Sequence, residues 1–242
     1  EILKVEHLSN QFVKDISFEL RQKETLGVAG LMGSFRTELM RTIYGIYPYT
    51  GKIYLDGSKT EIRSPKDALN KGIAYVTEDR KNNGIIGGMN VMENITLSAL
   101  KKFRGPLGWI NNDKEKSSAD KYIKDMSIKT SGINQLLKYL SGGNQQKVVM
   151  ARWLSLNAPL LILEDPSAGV DVGARAEIYD LLNQALDNGV AILVISNDLE
   201  EVAHICNRAL VFNRGQIVGE LLNQDVTFAR LLELASGSGT TH

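Results

Sequence analysis

The 242 residues predict an α/β fold: a parallel-sheet core with a smaller, mainly helical subdomain inserted in it. Three observations carry that expectation. "PLLILE" (159–164) and "VAILVIS" (190–196) are continuous apolar runs, the pattern of strands buried on both faces of a parallel sheet. "GARAEIYDLLNQALDNG" (173–189) lies between them and reads as the crossover helix. A mostly helical block over 91–150 interrupts the strand–helix alternation, which places a separate subdomain in the middle of the chain.

The elements follow in order. Residues 2–8, 16–20 and 52–55 read as short strands, with a turn at Asp56-Gly57. "ETLGVAG" (24–30) is an apolar strand running into glycine, and "RTELMRTIYG" (36–45) is a helix stopped by Gly45. "GIAYV" (72–76) is another strand. The helical block divides into 92–103, 112–126 and 142–156. "ALVFNRGQIVGE" (209–220) is a closing hairpin turning at Arg214-Gly215. "SGSGTTH" (236–242) has the make-up of a flexible tail, and there is no internal repeat.

Lys and Arg number 28 and Asp and Glu 28, so the chain lacks the basic excess of a nucleic-acid binder. Cys206 is the only cysteine, which excludes a disulfide within the chain; a small core residue in a reduced setting is the reading. The apolar runs are strand-sized, far short of the roughly 20 residues that cross a bilayer, and no segment has signal-peptide composition. The first residue is Glu1 rather than Met, which fits a piece of a longer polypeptide.

"GLMGSFRT" (30–37) sits between a predicted strand and a predicted helix, the context of a loop whose backbone N–H groups and helix start face a phosphate. Against the pattern G-x-x-x-x-G-K-[ST], Gly30 and Thr37 fit, and Gly33 and Ser34 lie inside. Phe35 stands where glycine belongs and Arg36 where lysine belongs. Glycine at the Phe35 position would permit unusual dihedrals and a close backbone approach; Phe35 brings a Cβ and a ring. Arg36 keeps the charge on a wider, planar fork. Thr37 offers a hydroxyl to Mg²⁺. Taken alone, an ordinary strand-to-helix turn explains this stretch equally well.

"YLSGGNQQKVVMARWLSLNAPLLILEDPSAGVD" (139–171) changes the balance. Ser141 and two glycines open a helix, a second anion-binding start, just upstream of a strand that ends in two carboxylates. The chain resembles the nucleotide-binding cassette of ATP-binding-cassette (ABC) transporters over essentially its whole length. Ser141, Gly142, Gly143 and Asn144 match the family signature, residues 160–165 its Walker B strand, and "SAGVD" its D-loop with Asp171. More narrowly, "GLMGSFRTELM", "YVTEDRKNNGI", "MNVMENITLSAL" and "LSGGNQQKVVMARWL" resemble the second, C-terminal cassette of carbohydrate importers in which two cassettes share one chain. That cassette carries an arginine in its phosphate loop and "EDRK" where others have glutamine, here Arg36 and Glu78–Lys81.

The resemblance implies a P-loop NTPase core with an antiparallel β subdomain (1–84 and 151–235), a helical subdomain bearing the signature (85–150), and a tail (236–242). It implies ATP and Mg²⁺ as ligands, with Thr37, Glu78 and Glu164 toward the metal. In the family the Walker B strand ends Asp-Glu, the first orienting the Mg²⁺ shell and the second polarising the attacking water. Here the order is Glu164-Asp165, so the metal-side group is one methylene longer and the base one shorter. A general base must lie within hydrogen-bond reach of its proton. Two carboxylates solvated at a strand end are the bland alternative. Asn197 stands where the family has a histidine toward the γ-phosphate, and donates without charge. Glu78 replaces a glutamine, and its charge opposes ATP unless paired or metal-bound; Arg80 and Lys81 are the expected offset. Phe12 and His7 are candidates for stacking on adenine, with plain packing as the alternative.

Family cassettes pair head to tail, each phosphate loop facing the partner's signature. The expectation is therefore a degenerate site of its own, with an intact signature lent to a partner cassette, fused N-terminally or on another chain. The implied setting is the cytoplasmic face of the membrane, with permease subunits in contact, an external solute-binding protein indirectly involved, and no nucleic acid. The permease groove maps to about 78–97, where Met89 and Met92 suit an adaptable surface or the core. A fully active ATPase using Asp165 as base is the alternative. The neutral charge and the lack of a long charged linker oppose a soluble ribosome- or DNA-directed relative, and nothing in a nucleotide kinase calls for "LSGGNQQK". Ribose, xylose, galactose, a sugar-like signal and a nucleoside all remain open as cargo.

Overall fold

The structure is a computed structural model that describes residues 1–105 and 108–237. It divides into two compact units. One comprises Glu1–Tyr75, Pro159–Asp165 and the residues from Gln184 on; the other comprises Val76–Ala158 and Pro166–Asn183.

The first unit holds two sheets. β1 (Leu3–Ser9), β2 (Ile16–Leu20), β4 (Thr50–Leu55) and β5 (Ser58–Thr60) form an antiparallel sheet in the order β2-β1-β4-β5. Leu55 pairs with Ser58 around Asp56 (φ 47) and Gly57 (φ 70), so both turn residues are left-handed, as a two-residue hairpin turn of the primed kind requires. The second sheet contains β3 (Thr25–Ala29), β6 (Ile73–Val76), β7 (Leu160–Glu164), β8 (Ala191–Ser196), β9 (Arg208–Asn213) and β10 (Gln216–Leu222). Its order is β10-β9-β3-β8-β7-β6, with β3, β7, β8 and β9 parallel where they adjoin. Every residue of β3, β7 and β8 is buried, which is why their sequences are continuous rather than alternating. The two sheets share one core: Leu3, Val5, Ile16 and Ile53 from the first pack in the same cluster as Leu26, Val28, Ile162 and Leu193 from the second. Each such side chain contributes about 1.5–3 kcal/mol on full burial.

α1 (Arg36–Ile43) follows β3 and is closed by Gly45 at φ 80, where a Cβ would lie 2.6 Å from the Ser64 amide nitrogen. The sequence pattern did not anticipate β5, α2 (Pro65–Asn70), α7 (Leu199–Ile205) or α8 (Phe228–Ser236). All three helices carry readable starts: Ser64, Asp198 and Thr227 each accept a first-turn amide. The expected tail is corrected at its beginning. Ser236 belongs to α8, and Gly237 caps it in the left-handed region. Residues 238–242 of that tail lie outside the described residues. Cys206 is buried, and burial pushes its thiol well above the usual range, in keeping with a core residue.

The second unit is helical: α3 (Val91–Thr96), a 3-10 continuation over Leu97–Phe103, α4 (Asn112–Asp125) and α5 (Gly142–Leu154). α6 (Val172–Asp187) begins here. Asn90 and Glu93 close a capping box on α3. Arg152, buried on α5, donates to the Asn94 and Gly84 carbonyls at 2.6 Å each and to Asn94 Oδ1 at 2.7 Å. Burial lowers its pKa to about 10. Lys147 is likewise buried, donating to the Ser127 carbonyl and pairing with Glu177.

Candidate functional site

Sheet register brings the first group of motifs together. Ala29 pairs with Ser196 and Glu164 with Ile195, so the loop after β3, the carboxylates after β7 and the turn after β8 leave the same edge of the parallel sheet. That edge, beyond the carboxyl ends of the strands, is where open α/β sheets bind ligands.

Gly30 is forced by space: a Cβ there would lie 2.5 Å from Ser34 Oγ and 2.7 Å from the Phe212 carbonyl. The Ser34 carbonyl accepts from the Gly215 amide at 2.9 Å, tying the loop to the β9–β10 turn. Phe35 takes up the conformation a glycine would have, φ 68 and ψ 21. The left-handed region costs a residue with a Cβ about 1–2 kcal/mol. Its ring lies 5.8 Å from Phe12, and Phe12 lies 4.9 Å from Tyr47. Phe12 is thus half-buried in an aromatic cluster beside the loop, whereas His7 is exposed and bound to Asp15 at 2.7 Å. Leu31 and Met32 stand exposed on the crest.

Arg36 is buried and folds back on its own loop, donating from Nη1 to the Leu31 carbonyl (3.1 Å) and to Ser34 Oγ (3.3 Å). Its Nε is buried without a partner, and among the described residues no carboxylate pairs with it. A buried cation satisfied only by neutral oxygens, at the start of an eight-residue helix, suits an anion. Thr37 is half-buried in the first turn of α1.

The two carboxylates face different neighbours. Glu164 is fully buried and accepts from the Tyr75 hydroxyl at 2.7 Å. Burial first, and then the Glu164 charge, push that phenol far above its usual range. Burial opposes the charge on Arg41, but its hydrogen bond to Tyr47 and the charge of Glu164 outweigh it and raise its pKa. Asp165, at φ 41, turns the other way. Its Oδ1 accepts from Ser196 Oγ (2.8 Å) and the Asn197 amide (3.0 Å), and its Oδ2 from Asn197 Nδ2 (3.1 Å). Ser196 Oγ also contacts the buried Glu201 at 2.8 Å. Tyr75, Arg41, Ser196 and Glu201 were not singled out from the sequence. Only the strand end "VIS" before Asn197 hinted at any of them.

The second unit carries the remaining motif residues. Ser141 is the exposed N-cap of α5, with Asn144 Nδ2 donating to its hydroxyl at 2.8 Å. Gly143 has no room for a side chain, since a Cβ would lie 2.6 Å from Ala174 Cβ. Asp171 precedes α6 and accepts the Ala174 amide at 2.9 Å. Glu78 is exposed. The Arg80 guanidinium donates to Gln146 Oε1 (3.2 Å) and to the carbonyls of Ala168 (3.1 Å) and Gly169 (3.5 Å). Asp79 starts the π-helical turn Arg80–Gly84 by accepting the Asn82 amide.

For a phosphate group the loop fits, on the buried Arg36 and the open space around Gly33, where a Cβ would meet nothing within 4 Å. For a divalent ion, no group of three or more His, Cys, Asp or Glu side chains is assembled among the described residues. Mg²⁺ bound with phosphates commonly takes only one or two protein ligands and keeps waters elsewhere, so Thr37 and Glu164 are a sufficient kind of donor set. Among the described residues no helix is long and apolar enough to cross a membrane.

Comparison with known proteins agrees with this arrangement. The family profile described as ABC transporter matches residues 13–168. The ribose import ATP-binding protein RbsA of Clostridium tetani (strain Massachusetts / E88) is 47% identical over 236 residues, covering 97% of this chain and 47% of that protein. The xylose import ATP-binding protein XylG of Escherichia coli O6:K15:H31 (strain 536 / UPEC) is 42% identical over 245 residues, covering 97% of this chain and 48% of that protein. The chain therefore spans about half the length of these curated relatives. A nucleotide-free ATP-binding cassette from an ABC transporter superposes with a TM-score of 0.80 at 21% identity, over 93% of this chain and 92% of that one, which establishes the same fold. The chain belongs to the ABC transporter family.

Proposed function

We propose that this member of the ABC transporter family is the ATP-binding cassette of a pentose importer, with a degenerate nucleotide site of its own and a signature offered to a partner cassette. The relatives named for ribose import and xylose import support the cargo class, both sugars being aldopentoses. They are about twice as long as this chain, which leaves room for a second cassette in the same polypeptide, and the Arg36 and Glu78–Lys81 pattern supports this one as the C-terminal member. The cassette acts at the cytoplasmic face of the membrane, against permease subunits that receive sugar from an external binding protein. Its core comprises 1–84 and 151–235, and its helical subdomain 85–150.

One observation carries the division of labour. Glu164 and Asp165 are both engaged by neighbouring side chains, while Ser141 stands exposed at the start of α5. ATP in the chain's own loop would meet the α1 amides, Ser34, Arg36 and Thr37, and Asp171 would steady the D-loop by accepting the Ala174 amide. Mg²⁺, when bound, would supply charge neutralisation, and Thr37 and Glu164 are the side chains of the first unit that would hold it. Asp165 is one methylene short for water activation and is drawn toward Asn197, so turnover there is slow. Phosphoryl transfer depends mainly on positioning and charge stabilisation, and several positioning elements are altered at once. Ser141, Gly142, Gly143 and Asn144 close over the partner's γ-phosphate instead.

Titration calorimetry of ATP into this chain, with and without Mg²⁺, tests the degenerate site. The expected result is no saturable heat below about 1 mM ATP, corresponding to a binding free energy no better than about −4 kcal/mol. Micromolar, Mg²⁺-dependent binding accompanied by steady turnover overturns that reading and assigns Asp165 as a working base.

A further inference from the structure

We propose that Arg80 is a positioning residue for the signature face: one buried guanidinium that fixes the D-loop backbone against the signature helix and ties both to the segment carrying Glu78. The inference rests on the reading that the signature serves a partner's nucleotide.

Arg80 is buried, and burial lowers its pKa. Burying a cation is unfavourable unless neighbouring groups satisfy it. The Arg80 donors go to one amide oxygen and two backbone carbonyls. The amide oxygen belongs to Gln146 on α5, and Gln146 is itself oriented, because its Nε2 donates to the Pro166 carbonyl at 2.9 Å. Arg80 and Gln146 together therefore hold the carbonyls of Pro166, Ala168 and Gly169. That is the backbone leading to Asp171.

The glycines around this guanidinium fit the same purpose. A Cβ on Gly142 would lie 3.2 Å from Arg80 Nη2 and 3.0 Å from the Gly169 carbonyl. Gly169, at φ 66, would place a Cβ 3.5 Å from the same nitrogen. The second signature residue and the D-loop glycine are thus the walls of the slot the guanidinium fills. A planar fork with donors on two separated nitrogens spans more widely placed oxygens than the single nitrogen of an ammonium or a neutral amide. Arg152 is the internal contrast: it is also buried in the same unit, but its hydrogen bonds go to Gly84 and Asn94.

The test uses the complete transporter in proteoliposomes, comparing wild type, Arg80→Gln, Arg80→Lys and Ser141→Ala. Arg80→Gln is expected to lower kcat for sugar-stimulated ATP hydrolysis by about tenfold or more while KM for ATP moves less than about twofold, the signature of lost transition-state positioning. Arg80→Lys, which keeps the charge and its donors but loses the planar fork, should recover part of that loss. Amide hydrogen exchange across 167–171 should accelerate in both variants. If Ser141→Ala abolishes turnover while Arg80→Gln leaves kcat and D-loop exchange at wild-type values, the Arg80 inference falls and the signature reading stands. If Ser141→Ala leaves turnover intact, the signature reading itself falls. Should Arg80→Gln fail to fold, Arg80→Lys decides: wild-type kcat and exchange overturn the inference, and a lowered kcat with faster exchange supports it.

Discussion

Two helix starts in this chain are built differently for related chemistry. At the start of α1 the residue before the first turn is Phe35, left-handed, with no side-chain acceptor for the helix amides and its ring turned toward Phe12. At the start of α5 it is Ser141, in ordinary extended backbone, with a hydroxyl held by Asn144. The first start carries strain and leaves a buried Arg36 nitrogen unmet; the second carries no strained residue and packs Gly143 tightly on Ala174. The difference is that Phe35 adopts a glycine's backbone conformation while carrying a side chain, whereas the second start pairs an ordinary extended cap with a closely fitted glycine. A cassette whose neighbour does the hydrolysis would retain that combination.

The largest expected effect breaks the intact side. Gly143→Val puts branched carbon where 2.6 Å already separates an ideal Cβ from Ala174. α5 must move away from α6, and the signature moves with it. Sugar uptake by the complete transporter should fall by about 100-fold, the scale on which misplaced transition-state donors act. Uptake within twofold of wild type removes the case for a tightly fitted signature. Next comes Arg152→Met, which leaves the Gly84 and Asn94 oxygens without their donor. Losing buried, charge-assisted bonds of this kind costs about 2–4 kcal/mol. Chemical denaturation should show that loss, with little change in m. A shift under about 0.5 kcal/mol would mean that water replaces the guanidinium.

On the strained side the effect is smaller and its sign is informative. Phe35→Gly removes a left-handed residue, worth about 1–2 kcal/mol, and also removes the contact with the Phe12 ring, worth about 0.5–1.5 kcal/mol. Stability should therefore change by less than about 1 kcal/mol, the two contributions opposing each other. ATP affinity, read by the same calorimetry, should rise, because the backbone can then approach the phosphates. Unchanged affinity would transfer the proposed weakness of nucleotide binding from Phe35 to the carboxylates.

Local signals in the sequence were dependable where one residue type has one physical use. The continuous apolar runs became β7 and β8, Gly45 stopped α1, and Arg214 (φ 49) with Gly215 (φ 77) made the hairpin turn. The Ser64-Pro65 start of α2 and the Asp198 cap of α7 are equally local signals, but helices of six and seven residues are too short to show a periodicity. The site was legible as motifs and not as contacts. Nothing local in "EDRK" reveals that Arg80 bonds residues 66, 88 and 89 positions away. Nor does "ILED" reveal that Glu164 bonds Tyr75 while Asp165 bonds Ser196 and Asn197. Those choices depend on strand order, which brings β8 between β3 and β7.

The smallest expected effect comes from restoring the family's carboxylate order, Glu164→Asp with Asp165→Glu. Shortening Glu164 draws its carboxylate away from the Tyr75 hydroxyl, now at 2.7 Å, and exposes Arg41 to a weaker counter-charge. Lengthening Asp165 pushes its oxygens past Ser196 and Asn197, which hold them at 2.8–3.1 Å. The new glutamate has the reach of a base, but Phe35, Arg36, Glu78 and Asn197 still stand where the family has other residues. Because groups that act as a unit do not contribute independently, repairing one pair should alter turnover by less than about threefold. Single-turnover hydrolysis by this chain at saturating ATP checks it. A gain of about 100-fold would place the whole defect in two methylene groups, and the contrast between the two helix starts would then have no bearing on activity.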